Sequence, residues 1–327
     1  MKRREFITLL GGGAAAWPAL GRAQQAMPVV GFINGGGENT STREAIAFRK
    51  GLSEAGYLEG KNVTVEYHWF EGEYGRLPPT ISDLVRRRVA VIAAPGFPPG
   101  AVAAKAATTT IPIIFGVGTD PVKLGLVASF ARPGGNVTGI NFFAQEATSK
   151  RLAIFHDLVP KAARLMVLVN PANASSMEGT LREVQTAAPA LGFDLNVVHA
   201  STSAEIDLAF ETIRSGKLDA LFVAGDGFFY SRRTHLVTLA ARDRIPASYS
   251  TREFAGAGGL MTYGANLADM FRQVGIYTGS VLRGMKPSDL PVVQSDKLEF
   301  VLNVQTARTL GIELPPSLLV RADEVIE

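Results

Sequence analysis

The chain contains no cysteine and only four histidines in 327 residues. Without cysteine there is no disulfide bond, no thiolate nucleophile and no residue to carry a lipid anchor. The histidines lie far apart in the sequence, and none has the HxxxH spacing with which a helix binds zinc. We therefore expect no metal and no cofactor.

The chain also lacks the basic excess that nucleic-acid binding requires. Its formal net charge is +3, but residues 1–23 carry four basic side chains and one acidic one, which accounts for the whole excess. The remainder of the chain is formally neutral. No basic surface for DNA or RNA is therefore expected.

Motifs of common nucleotide-binding and hydrolytic enzymes are missing as well. No GxGxxG is complete, and neither a P-loop nor GxSxG is present. Asp120 and Asp226, each predicted to follow a strand, are candidates for paired catalytic carboxylates. They are also candidates for helix caps or for contacts to the amino group of a ligand. We expect the second use and predict that the protein is not an enzyme.

A secretory signal is predicted over residues 1–23. Basic residues at positions 2–4 precede an apolar run at 6–20 that is too short and too rich in glycine and alanine to span a membrane. The adjacent arginines fit the twin-arginine variant, which carries proteins that fold before export. A buried N-terminal helix is the alternative, which the glycines and the proline of this run disfavour. We expect cleavage after Ala23 and a periplasmic location.

Short β-branched runs alternate with helical patterns along the chain. Strand-like runs occur at 29–33, 63–67 and 89–94, and helical spacing of apolar residues occurs between them at 42–55 and 77–88. This alternation is typical of a doubly wound parallel sheet. A chain of this length with 46% hydrophobic residues usually divides its core between two domains.

The same plan recurs in the second half of the chain. The first strand ends at Asn34, and a second apolar strand ends at Asn170, 136 residues later. Gly56 follows the first helix, and Gly192 lies at the same offset. Any α/β chain repeats its turn residues, but a nearly constant offset predicts a tandem duplication. We predict the α/β class, with two doubly wound parallel-sheet lobes joined by a hinge.

The chain is expected to cross between the lobes three times. The first lobe is predicted to comprise residues 27–142 and about 254–285, and the second residues 143–253 and about 286–327. Doubly wound sheets bind ligands at the carboxyl ends of their strands, so facing lobes would enclose one cleft. Hinge closure around a ligand is the expected motion.

Two helix starts carry the pattern of a capping box. Ser41 and Glu44 form it in the first half, and Ser175 and Glu178 repeat it in the second. We expect the N-terminal amides of both helices to face the cleft. There they would bind a carboxylate without any buried charge from the protein.

The candidate ligand-binding residues lie in loops after predicted strands and are mostly aromatic, small or amide-bearing. Such a lining suits a small, partly flat and partly apolar molecule. About half of the phenylalanines are expected in the core instead, and Phe142 and Phe143 would face opposite ways in an extended segment. The candidates are Asn34, Gly35, Gly36, Thr40, Ser41, Pro95, Gly96, Phe97, Gly118, Thr119, Asp120, Phe142, Phe143, Asn170, Asn173, Ser175, Asp226, Phe228, Tyr230 and Tyr249.

Long, specific stretches carry a family resemblance over essentially the whole chain. They include RREFITLLGG near the start, AFRKGLSEAGYLEGKNVTVEYHW at 47–69, DPVKLGLVASFARPGGNVTG at 120–139 and the closing LLVRADEVIE. The chain resembles the substrate-binding proteins of ABC transporters related to the tryptophan- and aromatic-amino-acid-binding group, which have the type I periplasmic-binding-protein fold.

This resemblance implies capture of a small solute between the lobes and delivery to an ABC permease in the inner membrane, without catalysis. We expect a monomer. A periplasmic sensor that presents the ligand to a membrane receptor is the alternative, and a two-domain enzyme such as a sugar transferase is a third. A repressor of the same fold would need a helix-turn-helix where the signal peptide lies.

One loop departs from the pattern of the family. Relatives usually have Gly-Gly-Ser/Thr-Pro, whereas this chain reads Pro95-Gly96-Phe97-Pro98, so that a ring replaces a hydroxyl. Tyr230 likewise stands where relatives often carry asparagine. From these departures we expect a flatter, less polar aromatic ligand than an amino acid.

Overall fold

The computed structural model describes residues 27–142, 144–295 and 297–327. The predicted signal peptide at 1–23 and the candidate Phe143 lie outside the described residues. In the part of the chain that is described, no helix is both long enough and apolar enough to cross a membrane.

Strands and helices alternate through most of the chain. The strands are β1 Val29–Asn34, β2 Thr64–Trp69, β3 Val91–Pro95, β4 Ile113–Val117, β5 Val137–Asn141, β6 Arg164–Val169, β7 Asp194–His199, β8 Ala220–Val223, β9 Ala247–Tyr249, β10 Met261–Ala265, β11 Val293–Gln294, β12 Leu298–Asn303 and β13 Glu324–Ile326. The helices are α1 Thr42–Glu54, α2 Leu77–Arg86, α3 Pro98–Ala107, α4 Ala144–Leu158, α5 Ala174–Ala187, α6 Ser203–Gly216, α7 Gly227–Ser231, α8 Arg233–Arg242, α9 Arg252–Gly256, α10 Leu267–Leu282, α11 Val304–Leu310 and α12 Pro316–Arg321.

The strands form two sheets with the same internal order. The first sheet runs β11-β5-β4-β3-β1-β2, and the second runs β13-β12-β10-β9-β8-β6-β7. The segments β2-β1-β3-β4-β5 and β7-β6-β8-β9-β10 correspond strand for strand, and every pair within them is parallel. The predicted α/β class with two doubly wound lobes is confirmed, and this repeated order is the topology of a tandem duplication.

The expected lobe boundaries after residue 253 need correction. β10 pairs with β9 through Met261 and Ser248, so residues 254–265 extend the second sheet rather than the first. β11 pairs with β5 through Val293 and Ile140, which places it in the first sheet. The glycine-rich stretch before β10 is a turn within the second lobe, where the sequence suggested a crossing.

The chain passes between the sheets at three places, as predicted. It leaves the first sheet between β5 and α4, returns between β10 and α10, and leaves again between β11 and β12. The second and third crossings are tied to each other, since the backbone N–H of Asn266 donates to the carbonyl of Lys297 at 3.0 Å. Three adjacent segments of this kind form a hinge.

Helices cover both faces of the first sheet. β3 and β4 are buried over their whole length, because a central parallel strand is covered on both sides. α2 and α3 pack on one face, and α1 and α10 pack on the other. α1 and α10 approach at backbone distance, because a side chain at Gly275 would overlap the carbonyl oxygen of Phe48.

Neither predicted capping box is present. Ser41 precedes α1 but makes no side-chain cap hydrogen bond. α5 begins at Ala174 with Asn173 before it, so Ser175 lies inside the helix. A complete capping box occurs instead at α6, where Thr202 and Glu205 exchange hydrogen bonds with each other's backbone. The pattern S-x-x-E alone therefore marked two helix starts without fixing their hydrogen bonds.

Candidate ligand-binding cleft

A cavity lies between the two lobes, at the carboxyl ends of the strands. It encloses about 1070 Å³, its open mouth included. The loops after β1, β3 and β4 line it from the first lobe, and α4 with the loops after β8, β9 and β10 lines it from the second. Its position is that of the ligand site in paired doubly wound sheets.

Half of the predicted candidates lie on the wall of this cavity. They are Asn34, Gly36, Ser41, Gly96, Gly118, Thr119, Phe142, Asn173, Asp226 and Tyr230. Nine others lie off the wall, namely Gly35, Thr40, Pro95, Phe97, Asp120, Asn170, Ser175, Phe228 and Tyr249.

Phe97 turns away from the cleft. Its side chain is 1% exposed, and its ring packs against Phe70 and Tyr74, with centroids 5.5 and 5.1 Å away. Glycine at positions 35 and 100 makes room for this ring, because a Cβ on Gly35 would lie 2.9 Å from it. The expectation that a ring replaces a hydroxyl in the cleft is therefore wrong. The main sequence argument against an amino acid as the ligand depended on this expectation and is therefore wrong as well.

Phe228 and Tyr249 belong to the core of the second lobe. The ring of Tyr249 stacks on Phe254 with centroids 4.5 Å apart. The ring of Phe228 lies 5.5 Å from that of Phe229 and faces Gly72 of the first lobe. Both rings fill apolar interior, so neither forms part of the cavity wall.

Three predicted polar side chains form hydrogen bonds with residues two or three positions away. Thr40 exchanges hydrogen bonds with the backbone three residues before it. Asp120 accepts a hydrogen bond from the N–H of Val122 at 2.8 Å. Ser175 donates to Asn173 Oδ1 at 3.3 Å. Thr40 and Asp120 thus shape loops near the cleft, and Ser175 binds the residue that precedes its helix.

Asn34 and Asn170 occupy equivalent positions in the two lobes. Each side-chain oxygen accepts a hydrogen bond from the backbone N–H two residues on, at 2.8 Å from Gly36 and 3.0 Å from Ala172. Asn34 Nδ2 also donates to the carbonyl of Pro95 at 2.7 Å and so ties two adjacent loops together. Both asparagines fix the shape of the loop after the first strand of their sheet.

Asp226 caps α7 and also accepts hydrogen bonds from two asparagine side chains. Its Oδ1 accepts from Asn170 Nδ2 at 2.9 Å and from the N–H groups of Phe228 and Phe229. Its Oδ2 accepts from Asn173 Nδ2 at 2.8 Å. Burial raises the pKa of this carboxyl, and the hydrogen bonds oppose that rise. Of the uses predicted for Asp226, capping is the one observed.

Glu44 is a buried carboxyl with one free oxygen. It lies in the first turn of α1, is 1% exposed and forms part of the cavity wall. Oε1 accepts a hydrogen bond from the hydroxyl of Tyr230, in the second lobe, at 2.6 Å. Among the described residues Oε2 has no hydrogen-bond partner. Burial raises the pKa of Glu44, while the Tyr230 hydroxyl lowers it in part.

Arg151 is a buried cation on the opposite wall. This residue of α4 is 2% exposed and lines the cavity. Its Nη2 donates to the carbonyl of Val223 at 2.9 Å, and its guanidinium lies 3.9 Å from the ring centre of Phe222. Within the described chain, Nε and Nη1 have no acceptor. Burial lowers the pKa of Arg151 to about 9, so it carries its charge at neutral pH.

The wall therefore contains buried charge, against the expectation that backbone amides alone would bind a charged group. Sequence reasoning missed both residues. In the sequence Glu44 fits a capping box, and Arg151 follows another basic residue, like a solvated surface pair. The sequence does contain a signal that Arg151 is buried. Arg151 lies four and seven residues before Phe155 and Leu158, which are buried, so all three share one face of the helix.

Aromatic rings from both lobes complete the wall. Phe142 and Phe271 contribute from the first lobe, and Tyr230 and Tyr263 from the second. Tyr263 and Phe271 were not among the sequence candidates. In the described ranges no group of three or more histidine or acidic side chains could hold a metal ion.

The two lobes touch across the cleft. Besides the hydrogen bond between Tyr230 and Glu44, Arg43 of α1 forms an ion pair with Glu253 of α9 at 3.0 Å. Both contacts join a helix of the first lobe to the second lobe near the cavity. This structure is therefore a closed arrangement of the lobes.

The sequence profile of the family described as ABC transporter substrate binding protein matches residues 29–326. The chain belongs to this family. Its members are solute-binding proteins rather than enzymes. The substrate-binding protein described here is 29% identical over 266 residues to the Tyrosine-binding protein of Clostridioides difficile (strain R20291), covering 81% of this chain and 76% of that protein. The predicted family resemblance is confirmed.

Solved structures show the same fold. A conserved domain protein from Vibrio cholerae is 25% identical, with a TM-score of 0.82 over 91% of this chain and 99% of that one. An ABC domain from Streptococcus pneumonia in complex with L-Trp is 24% identical, with a TM-score of 0.82 over 92% and 100%. A ligand-free, open substrate-binding protein with adhesive properties from Clostridium difficile, 24% identical, gives 0.62 over 92% and 99%. This substrate-binding protein thus has the type I periplasmic-binding fold.

Proposed function

We propose that this protein is the periplasmic solute-binding component of an ABC importer and that it captures an aromatic amino acid between its lobes. The observation that carries the proposal is the cavity enclosed by both lobes, with aromatic rings and one buried ionisable side chain without a partner of opposite charge on each side. The relatives named for tyrosine and crystallised with L-Trp support this ligand class. The exported, monomeric state and the partner permease remain part of the proposal.

Two contacts support closure as the mode of capture. The Tyr230–Glu44 hydrogen bond and the Arg43–Glu253 ion pair exist only when the lobes are together. A ligand that touches both walls favours the closed form, because it gains contacts there that an open cleft cannot offer.

Binding is tested with protein expressed from the full-length gene and purified from the periplasm. Thermal unfolding is recorded with each of the twenty common amino acids, and aromatic ones are expected to stabilise. A ligand at a hundred times its Kd adds about 2.7 kcal/mol. Small-angle scattering should show a smaller radius of gyration with ligand. Stabilisation by none of the aromatic amino acids, or binding without compaction, contradicts the proposal.

Export and import are tested separately. Mass spectrometry of the purified protein is expected to place its N-terminus after Ala23. Deleting the gene is expected to abolish high-affinity uptake of the labelled ligand, and a plasmid copy to restore it. Unchanged uptake, combined with an altered transcriptional response to the ligand, would instead indicate a sensor.

A further inference from the structure

The cleft wall contains one buried ionisable side chain without an oppositely charged partner on each lobe, a carboxyl group on the first and a guanidinium group on the second. Glu44 extends from α1 of the first lobe and Arg151 from α4 of the second, and each is almost completely buried. In the described residues Glu44 Oε2 has no donor, and Arg151 Nε and Nη1 have no acceptor. A buried ionised group without a partner is strongly unfavourable, so a ligand that pairs with both groups would stabilise the closed cleft.

The neighbouring side chains do not supply partners for Glu44 and Arg151. The carboxylate of Asp226 also lines the cavity, but four hydrogen bonds already occupy its oxygens. Near Glu44, the negative Glu253 opposes ionisation and the positive Arg233 favours it. Glu253 itself is paired with Arg43, and Arg233 lies over the ring of Tyr230 at 4.7 Å.

We infer that the cleft selects a free amino acid as a zwitterion, with the carboxylate on Arg151 and the ammonium group on Glu44. This inference rests on the proposed function and names the residues that read the two charges. The guanidinium supplies charged N–H donors to carboxylate oxygens, and Oε2 supplies an acceptor to the ammonium group. The aromatic side chain of the ligand is then left to the rings of the wall.

This arrangement couples charge recognition to closure. Because Glu44 and Arg151 belong to different lobes, a zwitterion satisfies both only when the cleft is closed. An amine without a carboxylate pairs only with Glu44, and an acid without an amino group pairs only with Arg151. Each of these ligands therefore leaves the other residue without a partner. We therefore expect strong discrimination against both.

Isothermal titration calorimetry tests the assignment with matched ligands. The probes are L-tryptophan, tryptamine, L-tryptophanamide and indole-3-propionate, with the corresponding tyrosine and phenylalanine series. In the wild-type protein the best amino acid is expected to bind at least 100-fold more tightly than its amine, amide or desamino acid. If the amine or the amide binds equally well, the inference is overturned while the proposed function stands. If no member of any series binds, the proposed function itself fails.

Two variants assign the charges to residues. Arg151→Met is expected to weaken the amino acid at least 100-fold yet leave the amine within about threefold of its wild-type affinity. Glu44→Gln is expected to weaken the amino acid and leave indole-3-propionate unchanged. The control variants Arg182→Met and Glu211→Gln alter exposed side chains of the same types and should change neither affinity.

Ligand-free stability separates this role from a structural one. Removing an uncompensated buried charge should leave the Tm of Arg151→Met unchanged or raise it. A fall in Tm, with equal loss of amino acid and amine binding, would overturn the assignment by showing that Arg151 supports the fold instead.

Discussion

The two lobes share a strand order but hold their first loop in different ways. In the first lobe Asn34 donates to the backbone carbonyl of Pro95, whereas in the second the equivalent Asn170 donates to the carboxylate of Asp226. The second loop is thus organised around a buried carboxyl group and the first around a backbone carbonyl. A duplicated framework has kept its backbone geometry while its polar interior has diverged.

The lobes also differ in how they are completed. The first lobe receives α10 and β11 from the C-terminal part of the chain, and the second receives β12 and β13. α10 packs on α1 at backbone distance, with Gly51 and Gly275 at the contact. The first lobe therefore depends on a close helix pair whose members are far apart in sequence.

Crowding this helix pair should have the largest effect. Gly275→Val is expected to destabilise the protein by about 3 kcal/mol, because the added side chain meets the backbone of Phe48 and the helices must separate. Chemical denaturation measures the change. The controls Gly75→Ala and Gly256→Ala, one in each lobe, have free space around the added methyl group and should change stability far less. Equal destabilisation at all three glycines would show that the close approach of α1 and α10 is not the cause of the effect.

The divergent asparagines should come next. Asn170→Ala is expected to cost about 2 kcal/mol, because the buried Asp226 loses a donor. Asn34→Ala should cost about 1 kcal/mol, since its donor bonds only a neutral carbonyl. The free energy of unfolding of both variants is measured in urea. A larger loss at Asn34 would contradict the proposed difference between a loop built on a buried carboxyl group and a loop built on a backbone carbonyl.

A pH titration sharpens the comparison of the two walls. Burial holds the pKa of Glu44 above its usual range, and an ammonium ligand requires the ionised form. Affinity for the amino acid should therefore be constant at high pH and fall as pH drops through that raised pKa, by up to tenfold per pH unit. Calorimetry between pH 8 and pH 5 measures it. In Glu44→Gln the affinity should be lower at pH 7 and no longer follow this fall, and an unchanged pH profile would contradict the role of Glu44.

The ion pair between the lobes should matter least. Arg43 is half exposed, and exposed pairs contribute about 0.5 kcal/mol. Arg43→Ala is expected to weaken ligand binding about twofold, and less at high salt, where the wild-type pair is screened. Fluorescence or calorimetric titration at two ionic strengths measures this. A loss of tenfold or more would make the ion pair, rather than the ligand charges, the main force that holds the lobes together.

The sequence alone predicts the framework well. The offset of 136 residues identified the duplication because Asn34 and Asn170 serve the same loop in each lobe. It did not locate the second crossing, since a glycine-rich turn within a lobe and a linker between lobes have the same composition. That choice depends on which sheet edge accepts β10, a contact remote in sequence.

Side-chain direction was the weaker part of the prediction. The ring of Phe97 enters the core because Gly35 leaves space for it, and Gly35 lies on another strand's loop. Arg151 enters the cleft because its helix presents that face to the cavity, a fact set by tertiary packing. Residue type and loop position thus placed half of the candidates on the wall, while finding Glu44 and Arg151 there required the packed structure.

The late position of α10 has a consequence for biosynthesis. During translation, the apolar face of the first sheet that includes Phe32 and Ile114 remains without this cover until the chain has been made through Leu282. The second lobe's parallel strands β6–β10 are all synthesised before that point. The N-terminal lobe consequently stays incomplete until most of the second lobe has been made, and a ribosome stalled before residue 267 would expose a surface for chaperones to bind.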